Sequence, residues 1–177
     1  VFAIDLDKDG DMDVLAALYT GHKLVWYEND GSQGFTERIV RDSWGECQSV
    51  YAIDMDDDGD IDVLGTSREE NGYTLSWFEN DGNQAFTEQG IVLRSARSHD
   101  IPGIAVSAID IDGDDDIDVI AAYSNGDIAW YENSGSQSFT EHILCTVSLP
   151  QSATAFFAID IDNDGDIDIV HISNSDN

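Results

Sequence analysis

Nine residues, Asp54-Met55-Asp56-Asp57-Asp58-Gly59-Asp60-Ile61-Asp62, set the terms on which this chain can fold. Six carboxylates and one glycine lie between the apolar runs Tyr51-Ala52-Ile53 and Val63-Leu64. Acids held this close between buried segments repel one another unless a cation collects them. The pattern recurs at Asp5–Asp13, Asp110–Asp118 and Asp160–Asp168, and the four copies hold 22 of the 37 acidic residues. The acidity is therefore concentrated in one device rather than spread as a solvating coat.

Counted from the first Asp, positions 1, 3, 5, 7 and 9 are acidic in every copy. They are Asp5, Asp7, Asp9, Asp11 and Asp13; Asp54, Asp56, Asp58, Asp60 and Asp62; Asp110, Asp112, Asp114, Asp116 and Asp118; and Asp160, Asp162, Asp164, Asp166 and Asp168. Alternate side chains around a tight turn can converge on one ion. Calcium accepts six to eight oxygens in flexible geometry, from carboxylates, carbonyls and water, whereas magnesium demands a stricter octahedron. The expected set is the carboxylates of positions 1, 3, 5 and 9 with the carbonyl of position 7, giving up to four Ca²⁺ ions. Glycine at position 6 supplies a left-handed backbone, and position 8 (Met12, Ile61, Ile117, Ile167) is expected to turn into the core. An EF-hand would close with Glu at position 12; Ala16, Gly65, Ala121 and His171 stand there. The third loop has Gly113 at position 4 and Asp115 at position 6, and is expected to bind more weakly.

The loops begin at residues 5, 54, 110 and 160, so the period is near 50. Two further landmarks follow in the same order: Trp26-Tyr27-Glu28-Asn29-Asp30-Gly31 then Phe35-Thr36-Glu37, Trp77–Gly82 then Phe86–Glu88, and Trp130–Gly135 then Phe139–Glu141. A fixed period with ordered landmarks indicates a repeat architecture, and this length suits a four-stranded propeller blade. The chain reads as one all-β array over 1–177, with repeats at 1–49, 50–105 and 106–155 and a partial fourth at 156–177. Within a repeat, strand A runs into the acidic loop and strand B leaves it as a continuous apolar run. Strand C ends at the Asn-Asp-Gly or Asn-Ser-Gly turn, and strand D starts at the Phe. Gly21, Gly72 and Gly126 mark the turn between B and C. Such a meander puts the acidic loops on one rim and the connectors Arg41–Gln48, Arg94–Gly103 and Cys145–Ser152 on the other.

The formal charge of −30 would fall only to −22 with four divalent cations bound. A balance so negative disfavours nucleic acid and anionic membrane surfaces as partners, and no apolar run is long enough to insert in a membrane. Cys47 and Cys145 lie at unrelated places in their repeats and read as separate thiols. The four histidines (His22, His99, His142, His171) share no repeat position, so no catalytic role is expected for them. Trp26, Trp77 and Trp130 are expected between blades; Trp44, without a counterpart, divides evenly between ligand contact and local packing.

Asp-x-Asp-x-Asp-Gly-Asp-x-Asp, preceded by Ala-Ile and followed by Val-Leu, resembles the calcium loop of the FG-GAP/VCBS repeat family. The later Trp-Tyr-Glu-Asn-Asp-Gly and Phe-Thr-Glu strengthen the resemblance across the whole chain. It implies calcium-binding β-propeller blades like those of the integrin α-subunit, usually seven to a closed ring, with the ion in the A–B loop. Extracellular calcium modules bind at about 10⁻⁴–10⁻³ M, so a secreted or cell-surface setting is expected. Three functions remain open: an adhesion or binding module presenting its connectors to a protein or glycan; a structural subunit completed by another segment or copy; and a polysaccharide lyase-like enzyme. The third would use Arg94, Arg97 and His99, the sole local basic cluster on the connector rim.

Overall fold

In a computed structural model of the chain, the described residues are 1–70, 72–95, 103–123, 126–146 and 153–173. They form fourteen strands and no helix. The first sheet holds β1 (Phe2–Ile4), β2 (Asp13–Leu18), β3 (Lys23–Asn29) and β4 (Phe35–Arg41). The second holds β5 (Glu46–Ile53), β6 (Asp62–Glu69), β7 (Gly72–Asn80) and β8 (Phe86–Ser95). The third holds β9 (Gly103–Ile109), β10 (Asp118–Tyr123), β11 (Asp127–Asn133) and β12 (Phe139–Thr146). A two-stranded sheet, β13 (Ala153–Ile159) with β14 (Asp168–Ser173), follows. Each four-stranded sheet is an antiparallel meander in chain order, as expected of tandem blades.

The apolar runs of the B strands have a simple cause: alternate side chains serve two neighbouring sheets. In β10, Val119, Ala121 and Tyr123 join a core with Leu64, Leu75 and Trp77 of the second sheet. Ile120 and Ala122 point the other way, to a core with Phe156 of β13. The second sheet repeats this, with Val63 and Phe78 facing Leu15, Leu24 and Trp26 of the first. Because a strand alternates faces every residue, a run buried on both sides must be apolar throughout. Each large side chain so buried contributes about 1.5–3 kcal/mol.

Two expectations change in detail. Strand A of the second repeat starts at Glu46, inside the expected connector Arg41–Gln48 and ahead of the expected repeat boundary at residue 50, so Glu46, Cys47 and Gln48 belong to β5. Trp44 settles as packing: it is 3% exposed and meets Phe78 edge-on at 5.0 Å. A Cβ on Gly65 would come within 2.8 Å of its ring. Its carbonyl accepts from Ser67 Oγ and Cys47 Sγ, and its N–H donates to His22 O. Cys47 is buried and free, and Cys145 is exposed and free.

Candidate metal centres

Each acidic loop runs from an A strand to a B strand, and its backbone is set by two left-handed residues rather than one. Position 4 takes φ of 61°, 58°, 77° and 67° at Lys8, Asp57, Gly113 and Asn163, and position 6 takes 99°, 93°, 72° and 97° at Gly10, Gly59, Asp115 and Gly165. The third loop therefore moves its glycine from one left-handed position to the other. Non-glycine residues tolerate φ near 60° but not near 95°, which explains why Asp115 sits at 72°.

Position 9 has a role that sequence reasoning missed. Asp13, Asp62 and Asp118 are at most 1% exposed. One oxygen of each accepts from the position-2 amide, that of Leu6, Met55 or Ile111, at 3.0–3.1 Å. The other accepts from the amide of Asn29, Asn80 or Asn133 at 2.8 Å. These asparagines close strand C, and their own Nδ2 donates back to the position-8 carbonyl. The invariant Asn of the second landmark thus stitches the C–D turn to the acidic loop. In the fourth loop, Asp168 accepts the Ile161 amide at 3.2 Å. Burial raises the carboxyl of Asp62 from 3.8 to about 6, against the opposing effect of its two amide donors, and raises Asp118 for the same reason. The indole of Trp77 draws Asp62 slightly down, although its Nε1 makes no hydrogen bond of normal geometry.

Positions 2 and 8 anchor each loop to opposite neighbours. Leu6, Met55 and Ile111 pack toward the following sheet, and Ile61 and Ile117 toward the preceding one. Met12 departs from the expected inward position and is 55% exposed, because no sheet precedes the first among the described residues. Ile161, on the following side of the last sheet, is 67% exposed for the matching reason.

The structure brings four acidic groups together, each with ligand oxygens within 4.8 Å of one another: Asp5, Asp7 and Asp13; Asp54, Asp56 and Asp58; Asp110, Asp112 and Asp118; Asp160, Asp162 and Asp168. Asp9, Asp114 and Asp164 lie outside these groups, and their carboxylates accept the position-7 amides of Asp11, Asp116 and Asp166, as Asp58 does for Asp60. Three of the position-7 carboxylates lie beside the C–D turn of their own sheet. Those of Asp11, Asp60 and Asp116 sit where a Cβ on Gly31, Gly82 or Gly135 would come within 2.3–2.6 Å.

The first two loops differ from the others at position 1. Every position-1 Oδ2 or its equivalent accepts from the position-6 amide. Asp5 Oδ1, Asp54 Oδ1 and Asp56 Oδ1 are then left buried without a hydrogen-bond donor. In the third and fourth loops, Asp110 Oδ1 accepts from Gly113 N–H, and Asp160 Oδ1 from the amides of Asn163 and Asp164. Burial raises the carboxyls of Asp7, Asp56 and Asp112, all at position 3. An orphaned, partly desolvated carboxylate oxygen is costly unless a cation or proton meets it. The donor set is all oxygen, which fits a hard divalent cation.

Among the described residues, no comparable constellation forms around His22 or His142. His22 Nδ1 lies 2.6 Å from Gly45 O. His142 stacks on Trp130 at 4.7 Å and meets Glu132 at 2.6 Å. That pairing repeats a cross-strand rule, with Arg38 on Glu28 and Gln89 on Glu79 in the first two sheets. Arg97 and His99, the side chain of Arg94 and that of His171 lie outside the described residues.

Sheets of four meandering strands, joined in tandem and each opened by the same acidic loop, define a blade-repeat protein of the β-propeller type. An FG-GAP-like repeat model matches residues 5–65, 54–121 and 110–171, and the chain belongs to that family. A search of curated proteins gives no match.

Proposed function

We propose that the chain is a calcium-stabilised extracellular scaffold that binds a protein or glycan through its connector rim, and that it is not an enzyme. The observation that carries the calcium reading is the orphaned pair of oxygens on Asp54 and Asp56, with the equivalent oxygen on Asp5. Calcium bound there would neutralise carboxylates that burial has left without donors. The first and second loops bind most tightly. The third and fourth bind more weakly, because an ion must first displace the amides that hold Asp110 and Asp160. Support for the adhesion reading is the contrast between rims: loop geometry repeats at every blade, while the connectors vary in length and sequence.

Removal of divalent ions tests the metal. Ions that bind only the folded state stabilise it by mass action, by about 2.7 kcal/mol per site at a hundredfold excess over Kd. The melting temperature is expected to rise with calcium from a calcium-free baseline, and an unchanged melt would refute the assignment. One observation favours a second reading, assembly with another segment or copy. The β13–β14 sheet presents Phe157 and Ile159, 67% and 53% exposed, on the face that its counterparts use for blade packing. Mass measurement in calcium tests assembly between copies: a monomer at all concentrations removes it.

A further inference from the structure

The second acidic loop differs from the others in one contact and in one member of its ligand set. Lys8, at position 4 of the first loop, crosses the junction between the two sheets. It places Nζ 2.8 Å from Asp60 Oδ1 and donates also to Gly59 O, positions 7 and 6 of the second loop. Position 4 is Asp57, Gly113 and Asn163 in the later loops, so this cation has no counterpart there. Among the described residues no other position-6 carbonyl meets a side-chain donor. The second loop also gathers Asp58 of position 5 with Asp54 and Asp56, whereas the other three gather positions 1, 3 and 9. The two departures share one peptide group. In a trans peptide the C=O and N–H point to opposite sides. With Gly59 O held by the ammonium, the Asp60 N–H is turned the other way, where it donates to Asp58 Oδ1 at 2.8 Å. The other oxygen of Asp60, Oδ2, is set against the C–D turn, 2.4 Å from where a Cβ on Gly82 would stand.

We propose that Lys8 is a positioning residue for the second calcium site, the means by which the first loop sets the ligands of the next; this rests on the calcium reading above. By holding the Gly59–Asp60 peptide, the ammonium keeps Asp58 within the ligand set of a loop to which it does not itself belong. Lys8 directly follows Asp7, a member of the first set. An ion in the first loop therefore orders the segment that carries the ammonium, and occupation of either site favours the other, since such coupling is reciprocal. Charge alone would act in the opposite sense. Asp54 and Asp58 lie close enough to act on the Lys8 charge, and an ammonium beside them opposes the arrival of a second cation. The sign of the effect on calcium affinity thus separates positioning from plain electrostatics.

The test is a calcium titration of the full chain at fixed ionic strength, with each loop followed by NMR at its position-6 amide. Gly59 reports the second site and Asp115 the third, because these amides donate to Asp54 and Asp110, position 1 of each set. Lys8→Asn removes the ammonium and suits the backbone, since Asn163 holds φ 67° at the same position where Lys8 holds 61°. It is expected to weaken calcium at the second site about tenfold, the lower end of the usual loss when an outer partner of a metal ligand is removed, and to leave the third unchanged. Lys8→Arg keeps the charge and the donors and should restore most of the affinity. Asp7→Asn, which impairs the first site, should loosen the second by more in the unaltered chain than in the Lys8→Asn background, where the link is already cut. Tighter or unchanged binding at Gly59 in Lys8→Asn, equal losses at Gly59 and Asp115, or an effect of Asp7→Asn that is the same in both backgrounds would overturn the proposal. A chain whose melt and amides both ignore calcium would remove the calcium reading and this proposal with it, a result distinct from those three.

Discussion

Truncating Asp62 to alanine separates the two jobs that an aspartate can have in these loops. Its carboxylate is 1% exposed and accepts the Met55 amide at 3.0 Å and the Asn80 amide at 2.8 Å. Hydrogen bonds to a charged acceptor are worth about 1.5–3 kcal/mol each, and the two amides would be left buried without partners. Against that, the fold already resists ionising this group, as its rise to about 6 indicates, so part of the gross loss is recovered. The expected net loss is about 2–4 kcal/mol. For a chain of this size that lowers the melting temperature by about 5–15 °C. The assay is a thermal melt followed by tryptophan fluorescence in calcium-free buffer, where ligation cannot contribute. Asp58→Ala is the contrast. Asp58 Oδ1 takes only the exposed Asp60 amide, so the variant should keep the calcium-free melt and lose part of the calcium-induced rise. Asp118→Ala should match Asp62→Ala, since its two bonds measure 3.1 and 2.8 Å. Asp168→Ala should lose about half as much, because among the described residues only the Ile161 amide depends on it. If Asp62→Ala and Asp58→Ala melt alike without calcium, or Asp168→Ala is as damaging as Asp62→Ala, the stitching argument is wrong.

The pH dependence should change sign with calcium. Asp7, Asp56, Asp62, Asp112 and Asp118 are all raised by burial, so their protonated forms stabilise the ion-free fold. That stability is complete below 3.8 and lost as pH rises through the folded values, about 6 for Asp62. Calcium-free protein should therefore melt higher near pH 5 than near pH 7.5, while the calcium-induced increment should grow with pH across the same window; equal melts without calcium would contradict this. Gly82→Ala puts a Cβ 2.4 Å from Asp60 Oδ2 at a φ of 76° and should cost about 1–3 kcal/mol in chemical unfolding. Gly90→Ala, with nothing within 4 Å of its Cβ, should be neutral or slightly stabilising. Trp44→Ala empties the space between Gly65 and Phe78 and should cost about 3–5 kcal/mol, with unfolding the readout.

Much of the architecture was legible in the order of residues because repetition removes ambiguity. A single run such as Val119–Tyr123 could belong to a helix or a strand; four runs each launched by an acidic loop, three of them followed by Trp, Asn-x-Gly and Phe-Thr-Glu, admit only a stacked β unit. The alternating aspartates were equally legible, since their spacing is itself the geometry of a turn that gathers oxygens. Strand ends were less so: β5 extends to Glu46 because Glu46 and Cys47 pair with Arg68 and Ser67, and that depends on the neighbouring strand.

By itself the sequence determined the period, the strand content, the four carboxylate sets and one of the two left-handed positions in each loop, position 6, while position 4 emerged only in the fold. Only the tertiary structure decided how those carboxylates divide their work. Whether an aspartate oxygen is spent on an amide or left for a cation depends on which backbone groups the folded loop brings within 3 Å. Asp62 and Asp58 look alike in the chain, yet one is sealed beneath Asn80 and the other faces the rim. The junctions between loops were decided in the same way. Lys8 and Asp57 hold the same place in their repeats, and the stacking of sheets sets the first against Asp60 and the second against Asp115 and Asp116. Spacing along a chain records what each repeat contains, and packing between repeats settles what each residue meets.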